Sequence, residues 1–400
     1  SLLLQPHPST LASSTAQELS MQAASLATWL WGSIRGTQGP VDSPAKFASP
    51  LNSSPIVNRD NGACSDRRIA SMARFLESVE KKGPVGVLRE FKKVDRFFDT
   101  TASHRAFNAN MAKNRYSDVP CVDDSRIRLR LGASQHGDYI HANRVLPPFI
   151  CTQGPTQHTV HDFWRMVFQE RASSIVMLCR PVEEGKSKCT IYWPEKVGEV
   201  CRLPTLIVTN EGKDAEDEFN TVTFRVELNP KYDAASDCFG GEECRPLSVK
   251  LLRWIEWPDR SIPDQKSCLV PLRILDRVRG GTTIVHCSAG IGRTGSLIAI
   301  EMALQRLQAG RYVALDDIVR ELRCLRSHAI QTDTQYLYIH KVLVEAALQL
   351  GAGNLSKSPR IRAGPACMVP PSKDSLTLPS SARNAGNAFL KKCKSKSELF

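Results

Sequence analysis

The chain has 400 residues, of which 42% are hydrophobic, so it is long enough to bury a full core. Its formal net charge is +12, and positions 351–400 hold more than half of that excess, with nine Lys or Arg against two acidic residues. This distribution disfavours a uniformly basic nucleic-acid-binding face and indicates a solvated basic tail, whose alternative use is contact with acidic partners or a membrane surface.

Thirteen cysteines are scattered through the chain, and no two of them form a C-x-x-C pair. An odd, irregular set in a chain of this length indicates reduced thiols, so we expect a cytoplasmic protein. No apolar run is long enough to span a bilayer, and the short N-terminal apolar patch lacks the basic flank of a signal peptide. The first residue is Ser rather than Met, so the sequence is compatible with a chain that continues upstream.

In chain order, the sequence divides into three predicted parts. Residues 1–75 are rich in Ser, Ala, Thr and Pro and predict a disordered leader, although helical spacing of apolar residues begins near residue 68, around a Gly-Pro break. Residues 76–350 keep a globular pattern and predict one folded domain. Residues 351–400 predict a basic, low-complexity tail.

Strands and helices are both predicted within the folded domain. Residues 175–178, 221–228 and 249–255 have the composition of strands. Thr159, with an acidic residue three positions later, predicts a helix start, and Thr332 with Gln335 predicts a capping box before a final helix. Strand-rich sequence followed by helix-rich sequence predicts an α/β fold of the α+β type, with a central twisted mixed sheet flanked by helices.

The stretch "IVHCSAGIGRTGSLIAI" has glycines in G-x-G-x-x-G spacing, which allows two interpretations. The first is a dinucleotide-binding turn, in which "TTIVH" is a strand, a helix follows, and "RYVAL" is a second strand ending near Asp316. The sequence after Asp316 is helical, however, and no second nucleotide-binding half follows. This interpretation also leaves Cys287 and Arg293 without roles, so we disfavour it.

The second interpretation is a loop that binds a single phosphate group between a strand end and a helix start. Small residues let successive backbone N–H groups converge on one anion, aided by the positive N-terminus of the helix. In that field Cys287 would favour its thiolate form, and Arg293, six positions later, can hold two phosphate oxygens through its planar guanidinium. Thr294 can donate a hydrogen bond toward the sulfur.

This stretch also matches the signature H-C-x5-R-[ST]-G, and through it the chain resembles the cysteine-based protein tyrosine phosphatases. Other blocks of that family are resembled in the same order, namely "KNRYSDVPCVDDSRIRL", "DYIHAN", "TQGPTQHTVHDFWRMVFQE", "KCTIYWP", "WPDRSIP" and "QTDTQY". The resemblance covers roughly residues 85–350. It implies one tyrosine-specific catalytic domain of the non-receptor type, with the fold of that family and with neither a cofactor nor a metal.

The resemblance implies a mechanism through a cysteinyl-phosphate intermediate. Cys287 would be the nucleophile, supported by His286, and Asp259 would be the general acid and base on a loop that closes over the substrate. Gln331 and Gln335 would orient the attacking water. The phosphate oxygens would be held by Arg293 and by the backbone amides of the loop, which consists of Ser288, Ala289, Gly290, Ile291 and Gly292.

Four further residues are assigned around the pocket by resemblance. Tyr116 would stack on the substrate ring and make the cleft too deep for phosphoserine, while Asp118 would accept N–H groups of the substrate backbone. Phosphotyrosine-containing proteins are therefore the expected partners. Glu183 would orient Arg293, and Lys188 would contact the acid loop when it shuts, although both side chains could instead be ordinary surface charges.

Two positions depart from the family pattern. Ser261 stands where glycine is usual in the acid loop, which predicts stiffer closure, and His141 stands where asparagine is usual, which predicts a disturbed hydrogen-bond network behind the pocket. Two rival functions stay open, a phosphotyrosine-binding module without turnover and a lipid phosphatase. The presence of every catalytic residue type disfavours the first, and the neutral Ser288 and Ile291 disfavour the second.

Overall fold

The computed structural model describes residues 62–215, 218–233, 241–264 and 267–349. The predicted basic tail, 351–400, and residues 1–61 of the predicted leader lie outside these ranges.

Eleven strands occur in the described residues. They are β1 (Arg126–Arg128), β2 (Tyr139–Leu146), β3 (Phe149–Thr152), β4 (Ser174–Met177), β5 (Val182–Glu183), β6 (Lys186–Ser187), β7 (Val200–Arg202), β8 (Leu206–Ala215), β9 (Asn220–Leu228), β10 (Leu247–Arg253) and β11 (Thr283–His286). Nine of them form one mixed sheet in the order β1-β2-β3-β11-β4-β10-β9-β8-β7, and β5 pairs with β6 in a separate hairpin. The three strands predicted from composition correspond to β4, β9 and β10, with ends shifted by one or two residues.

The centre of the sheet determines where the functional loops meet. β3, β11, β4 and β10 are neighbours and run parallel, whereas the outer pairs are antiparallel. Every residue of β3, β4 and β11 is buried, as expected for parallel strands covered on both faces. Because parallel strands end at the same edge, the loops that follow these four strands lie together, which is where open α/β sheets bind their ligands.

Eight α-helices flank the sheet in the described part of the chain. They are α1 (Gly62–Asp95), α2 (Arg105–Ala109), α3 (Ala133–His136), α4 (Val160–Gln169), α5 (Val270–Arg277), α6 (Gly292–Gln308), α7 (Leu315–Leu325) and α8 (Asp333–Gln349). The apolar helix α6 packs against α7, α8 and α1, and it contacts β3 and β11 of the sheet. None of these described helices combines the length and apolarity that a bilayer crossing requires.

The first helix differs from the leader predicted for residues 1–75. α1 begins at Gly62 and continues through a kink at Gly83, whose φ of 62° lies outside the helical region. Met72 and Phe75 on its N-terminal half are buried in the main core. The predicted boundary between residues 75 and 76 thus falls inside α1, because the apolar helical spacing that begins near residue 68 is used for packing.

The two predicted helix starts occur, but their caps differ from the expected pattern. Thr159 precedes α4, yet its Oγ1 accepts the N–H of Thr156 at 2.9 Å and caps no helical N–H group. At α8, Thr332 Oγ1 accepts the N–H of Gln335 at 3.1 Å, as a capping box requires. Gln335 Oε1, however, accepts the N–H of Gln331 at 2.9 Å rather than that of Thr332, so only half of the box forms.

The alternative of a dinucleotide-binding unit does not fit this topology. The segment "RYVAL" was predicted to be its second strand, but residues 311–314 form no strand and Leu315 already begins α7. No parallel strand follows α6 in the described chain, so the second half of such a unit is missing there.

Candidate active site

The loop between β11 and α6, residues 287–292, has a backbone shaped for an anion. Behind it, the carbonyl of Ser288 accepts the N–H of Gly154 at 2.8 Å, and those of Ala289 and Gly290 accept the Arg326 guanidinium at 2.9 and 3.1 Å. The carbonyl of Ile291 is also bound, by the N–H of a residue outside the loop. In a trans peptide the next N–H points opposite to the carbonyl, so the N–H groups at positions 289–292 face the other side.

The nucleophile candidate lies on that other side. Cys287 is 4% exposed, and the N–H of Gly290 lies 3.3 Å from its Sγ. Gly290 has a φ of 69°, and a Cβ added to it would lie 2.0 Å from the carbonyl oxygen of Thr152. Only glycine therefore allows the loop to approach β3 so closely while turning its N–H toward the sulfur.

Arg293, at the start of α6, is held by a fork of hydrogen bonds. Its Nη1 and Nη2 donate to the two carboxylate oxygens of Glu183 at 2.7 and 3.0 Å, and Nη1 also donates to the Trp257 carbonyl at 2.9 Å. Burial lowers the pKa of Arg293, but the hydrogen bonds with Glu183 and the neighbouring Cys287 outweigh it and raise the pKa above its ordinary value. The guanidinium is thus a permanent buried charge, and the pairing predicted for Glu183 is present.

Asp259 reaches the same place from the loop after β10. Its Oδ2 accepts Lys188 Nζ at 2.5 Å, and its Oδ1 accepts Arg293 Nη2 at 3.2 Å. Burial raises the pKa of Asp259, yet the bond from Lys188 and the charge of Arg293 outweigh it and hold the pKa below its usual value. The Lys188–Asp259 contact expected for a shut loop is therefore present, and these contacts favour the ionised carboxyl.

In the acid loop the residue with a left-handed backbone is not Ser261, the position where the family usually has glycine. Arg260, not Ser261, has the left-handed φ of 54°. Ser261 is buried, and its carbonyl accepts Trp257 Nε1 at 2.9 Å. The position usually held by glycine therefore needs no positive φ here. The bond from Trp257 uses the backbone carbonyl of residue 261, which glycine would also supply, so the stiffer closure expected from Ser261 stays a prediction.

The phosphotyrosine candidates lie on the opposite wall of the cleft. Tyr116 Oη lies 2.8 Å from Ser288 Oγ, which donates onward to the Lys188 carbonyl at 2.9 Å. Because that carbonyl can only accept, the Tyr116 hydroxyl is the donor to Ser288. Asp118 is exposed and borders an open surface cavity of about 240 Å³ that is also lined by Ile291.

Two glutamines stand over the start of α6. A Cβ added to Gly292 would lie 2.5 Å from Gln331 Oε1 and 2.9 Å from Gln335 Nε2, so both side chains abut the loop. Gln335 Nε2 and Thr294 Oγ1 are buried and have no hydrogen-bond partner among the described residues. The bond predicted from Thr294 toward the sulfur is therefore not made in this structure.

His286 was assigned a supporting role from the sequence, but two residues that act with it behind the loop were not identified. His286 Nδ1 lies 3.2 Å from the Cys287 carbonyl, and its Nε2 lies 2.9 Å from Tyr192 Oη. Tyr192 belongs to the quoted block "KCTIYWP" but had no assigned role. Arg326 is 1% exposed and was not identified from the sequence. An arginine in an amphipathic segment is normally interpreted as a surface charge, and only its contacts with buried carbonyls show otherwise.

Comparison with known proteins identifies a family for this chain. The family model described as protein-tyrosine phosphatase matches residues 110–345. Tyrosine-protein phosphatase 69D of Drosophila melanogaster is 32% identical over 271 residues, which are 65% of this chain and 18% of that protein. Receptor-type tyrosine-protein phosphatase F of Homo sapiens is 31% identical over 291 residues, 70% of this chain and 14% of that protein.

A solved structure agrees with these sequence matches. The structure described as the structural basis of the PTPN18 fingerprint on distinct HER2 tyrosine phosphorylation sites aligns with a TM-score of 0.60 and 28% identity, covering 70% of this chain and 99% of that one. Since the chain spans less than a fifth of the two relatives above, the non-receptor type stays a prediction. The described fold, the geometry of the loop and the family match over residues 110–345 together mean that this chain belongs to the protein-tyrosine phosphatase family.

Proposed function

We propose that this chain hydrolyses phosphotyrosine in proteins through a cysteinyl-phosphate intermediate. The observation that carries the proposal is the loop whose carbonyls at residues 288–291 are bound on one side, so that the N–H groups at 289–292 face the other. On that side the N–H of Gly290 lies 3.3 Å from Cys287 Sγ, and the charge of Arg293 interacts with the same sulfur. Such a cradle stabilises the three equatorial oxygens of a phosphoryl group in transfer.

In the first step the Cys287 thiolate attacks phosphorus in line. The S–P bond forms as the bond from phosphorus to the tyrosyl oxygen breaks, and Asp259 gives its proton to that oxygen. A tyrosyl leaving group has a conjugate acid of pKa about 10, so it needs this proton at neutral pH. The dianionic phosphate supplies negative charge next to Asp259, which favours the protonated carboxyl that the free site lacks.

In the second step water attacks the cysteinyl phosphate. Asp259, ionised after the first step, takes a proton from the water while Gln331 and Gln335 orient it. The S–P bond breaks, and the sulfur leaves as the thiolate with inorganic phosphate as product. The unpartnered Nε2 of Gln335 supports this role, because it is a buried donor that abuts the loop at Gly292.

Substrate selection follows from the walls of the cleft. The bond from Tyr116 Oη to Ser288 Oγ fixes the tyrosine next to the phosphate loop, so its ring can line one side of a deep pocket. We assign phosphotyrosyl rather than phosphoseryl side chains on this basis, with Asp118 accepting the backbone of the substrate. Glu183 and Lys188 are positioning residues that act through Arg293 and Asp259.

Nine cysteines of the described residues are free thiols. Free cysteines in this number are typical of a reducing compartment, which supports the cytoplasmic assignment of this domain.

The decisive experiment compares phosphate release from a phosphotyrosyl peptide, a phosphoseryl peptide and a phosphoinositide. We expect release from the first alone, and Cys287→Ser should lower it by at least about 10⁴-fold while peptide binding persists. Cys268→Ser removes an equally buried thiol, 4% exposed, and should leave turnover unchanged. Binding without release by the unaltered protein would establish a binding module, and faster release from the phosphoinositide would establish a lipid phosphatase.

A further inference from the structure

We propose that His141 is a positioning residue that ties the substrate-recognition segment, residues 116–119, to the phosphate loop, residues 287–292. This inference rests on the proposed function, because it concerns how that site is held. His141 lies on β2 and is 2% exposed, so neither ring nitrogen has access to water.

The chemistry of the two contacts determines the state of the ring. His141 Nε2 lies 2.8 Å from the carbonyl oxygen of Val119, which can only accept, so Nε2 carries the hydrogen. His141 Nδ1 lies 3.0 Å from Arg326 Nη1, which can only donate, so Nδ1 is the lone pair. Burial, reinforced by the charge of Arg326, lowers the pKa of His141 to about 3. The ring is therefore the neutral Nε2–H tautomer.

Arg326 carries this connection to the phosphate loop. Besides His141, its guanidinium donates to the carbonyls of Ala289 and Gly290, the contacts that turn the loop N–H groups toward Cys287. The guanidinium has four neutral acceptors, namely these two carbonyls, His141 Nδ1 and Asn143 Oδ1, so the three that remain without His141 can still hold it against the loop.

A second residue of β2 makes the same kind of bridge. Asn143, two positions on and hence on the same face of the strand, accepts Arg326 Nη1 at 2.8 Å and donates to the Val122 carbonyl at 2.9 Å. Asn143 thus links Arg326 to residue 122, whereas His141 links it to residue 119, three residues after Tyr116. The longer imidazole places its donor nearer the recognition segment than an asparagine at position 141 could.

His141 therefore sets the separation between the loop that holds the phosphate and the wall that holds the tyrosyl ring and peptide. Loss of its two nitrogens should leave the Ala289 and Gly290 contacts of Arg326 in place but release Val119. Recognition of a peptide should then weaken more than hydrolysis of a small aryl phosphate.

The test uses His141→Phe, which keeps a ring but removes both nitrogens, beside His340→Phe, which alters a buried imidazole on α8 outside the site. We expect His141→Phe to raise KM for a phosphotyrosyl peptide about tenfold more than KM for an aryl phosphate. His141→Gln, which retains a donor and an acceptor, should lie within about threefold of the unaltered protein. Equal losses on both substrates, as a general packing defect would give, would overturn the proposal.

A double-variant cycle separates this role from general destabilisation. If His141 acts through the recognition segment, His141→Phe and Asp118→Asn should be non-additive for the peptide by about tenfold, because each disables the same contact. Additive effects would sink the proposal.

Should His141→Phe fail to fold, ¹⁵N NMR of the unaltered protein still decides the matter. A neutral ring protonated on Nε2 is expected, and either an imidazolium or an Nδ1–H tautomer contradicts the bridge. The NMR result does not depend on turnover, so failure of the proposed function would be recognised separately, by the absence of phosphate release.

Discussion

At the scale of single residues, the site is organised around one buried guanidinium with two carboxylate partners. Glu183 grips Arg293 through both oxygens, whereas Asp259 makes one longer contact of 3.2 Å and shares its charge with Lys188. The two bonds from Glu183 fix the orientation of the guanidinium, whereas the single bond from Asp259 is easier to replace. A phosphate can therefore displace Asp259 from Arg293 while the Glu183–Arg293 ion pair stays in place.

The ion pairs of Asp259 predict a pH-dependent stability. The pKa of this carboxyl is lowered from the usual 3.8, so folding favours its ionised form. Its contribution is fully present above that value and is lost as pH falls through the lower pKa of the folded state. Asp259→Asn should thus lower Tm at pH 6, and its gap to the unaltered protein should be smaller at pH 3.

Thermal unfolding of the two proteins at both pH values measures this difference. Asp264→Asn, on the same segment, is the matched control, because in the described residues Arg293 and Lys188 pair only with Glu183 and Asp259. A Tm gap that stays constant between the two pH values would show that the ion pairs of Asp259 do not stabilise the fold.

At the scale of elements, the phosphate loop depends both on its local sequence and on contacts with residues far along the chain. Its strand, its helix and its small residues were predicted from the sequence, and β11 and α6 confirm the strand–loop–helix order. The use of each glycine could not be predicted, because it depends on neighbours far along the chain. Gly290 is required by the backbone of Thr152 on β3, whereas Gly292 leaves room for the side-chain ends of Gln331 and Gln335.

These different neighbours predict different outcomes for two alanine substitutions. In Gly290→Ala the new Cβ would meet backbone at 2.0 Å with a φ of 69°, so we expect a lower Tm and about a 100-fold loss of kcat. In Gly292→Ala the new Cβ would meet the ends of two flexible side chains, which can swing away. Tm should therefore change little while kcat falls.

Melting curves and initial rates on one aryl phosphate distinguish the two variants. Gly212→Ala, where a Cβ would meet nothing within 4 Å, is the control. Equal Tm losses at positions 290 and 292 would contradict the assigned neighbours.

At the scale of the whole molecule, helix α1 is part of the domain that positions the site. α1 packs against α8, and Arg323 ties its end to the segment that carries Gln331. Arg323 donates to the carbonyls of Val94 and Asp95 at 2.5 and 2.6 Å, and to the carbonyl of Ile330 at 2.8 Å. A cation at a helix C-terminus is favourable in itself, and here it also fixes the approach to the water-orienting glutamine.

The packing of α1 predicts that residues upstream of position 76 stabilise the domain. Phe75 is 3% exposed within the main core, so Phe75→Ala should lower the free energy of unfolding by about 3–5 kcal/mol. Glu77→Ala, on the exposed side of the same helix, should change it little. Urea unfolding monitored by tryptophan fluorescence gives both values, and similar small losses would indicate that the N-terminal half of α1 is not part of the core.

The sequence by itself determined the chemistry of the loop. A cysteine and an arginine six positions apart, small residues between them, an apolar strand before and an apolar helix after are all local features, and local features are what periodicity and motif spacing encode. The general fold class was predictable for the same reason, since strand-rich and helix-rich stretches differ in composition.

Only the tertiary structure decided which distant residues complete the site. The resemblance suggested the pairs Glu183–Arg293 and Lys188–Asp259 but left ordinary surface charges as the alternative. These residues, 110 and 71 positions apart, meet because β4, β10 and β11 end at one edge of the sheet. His141 and Arg326 behind the loop, and the inclusion of residues 62–75 in a packed helix, likewise depend on which surfaces meet. Local spacing cannot specify such meetings, because strand order and helix packing are settled by the burial of apolar surface over the whole chain at once.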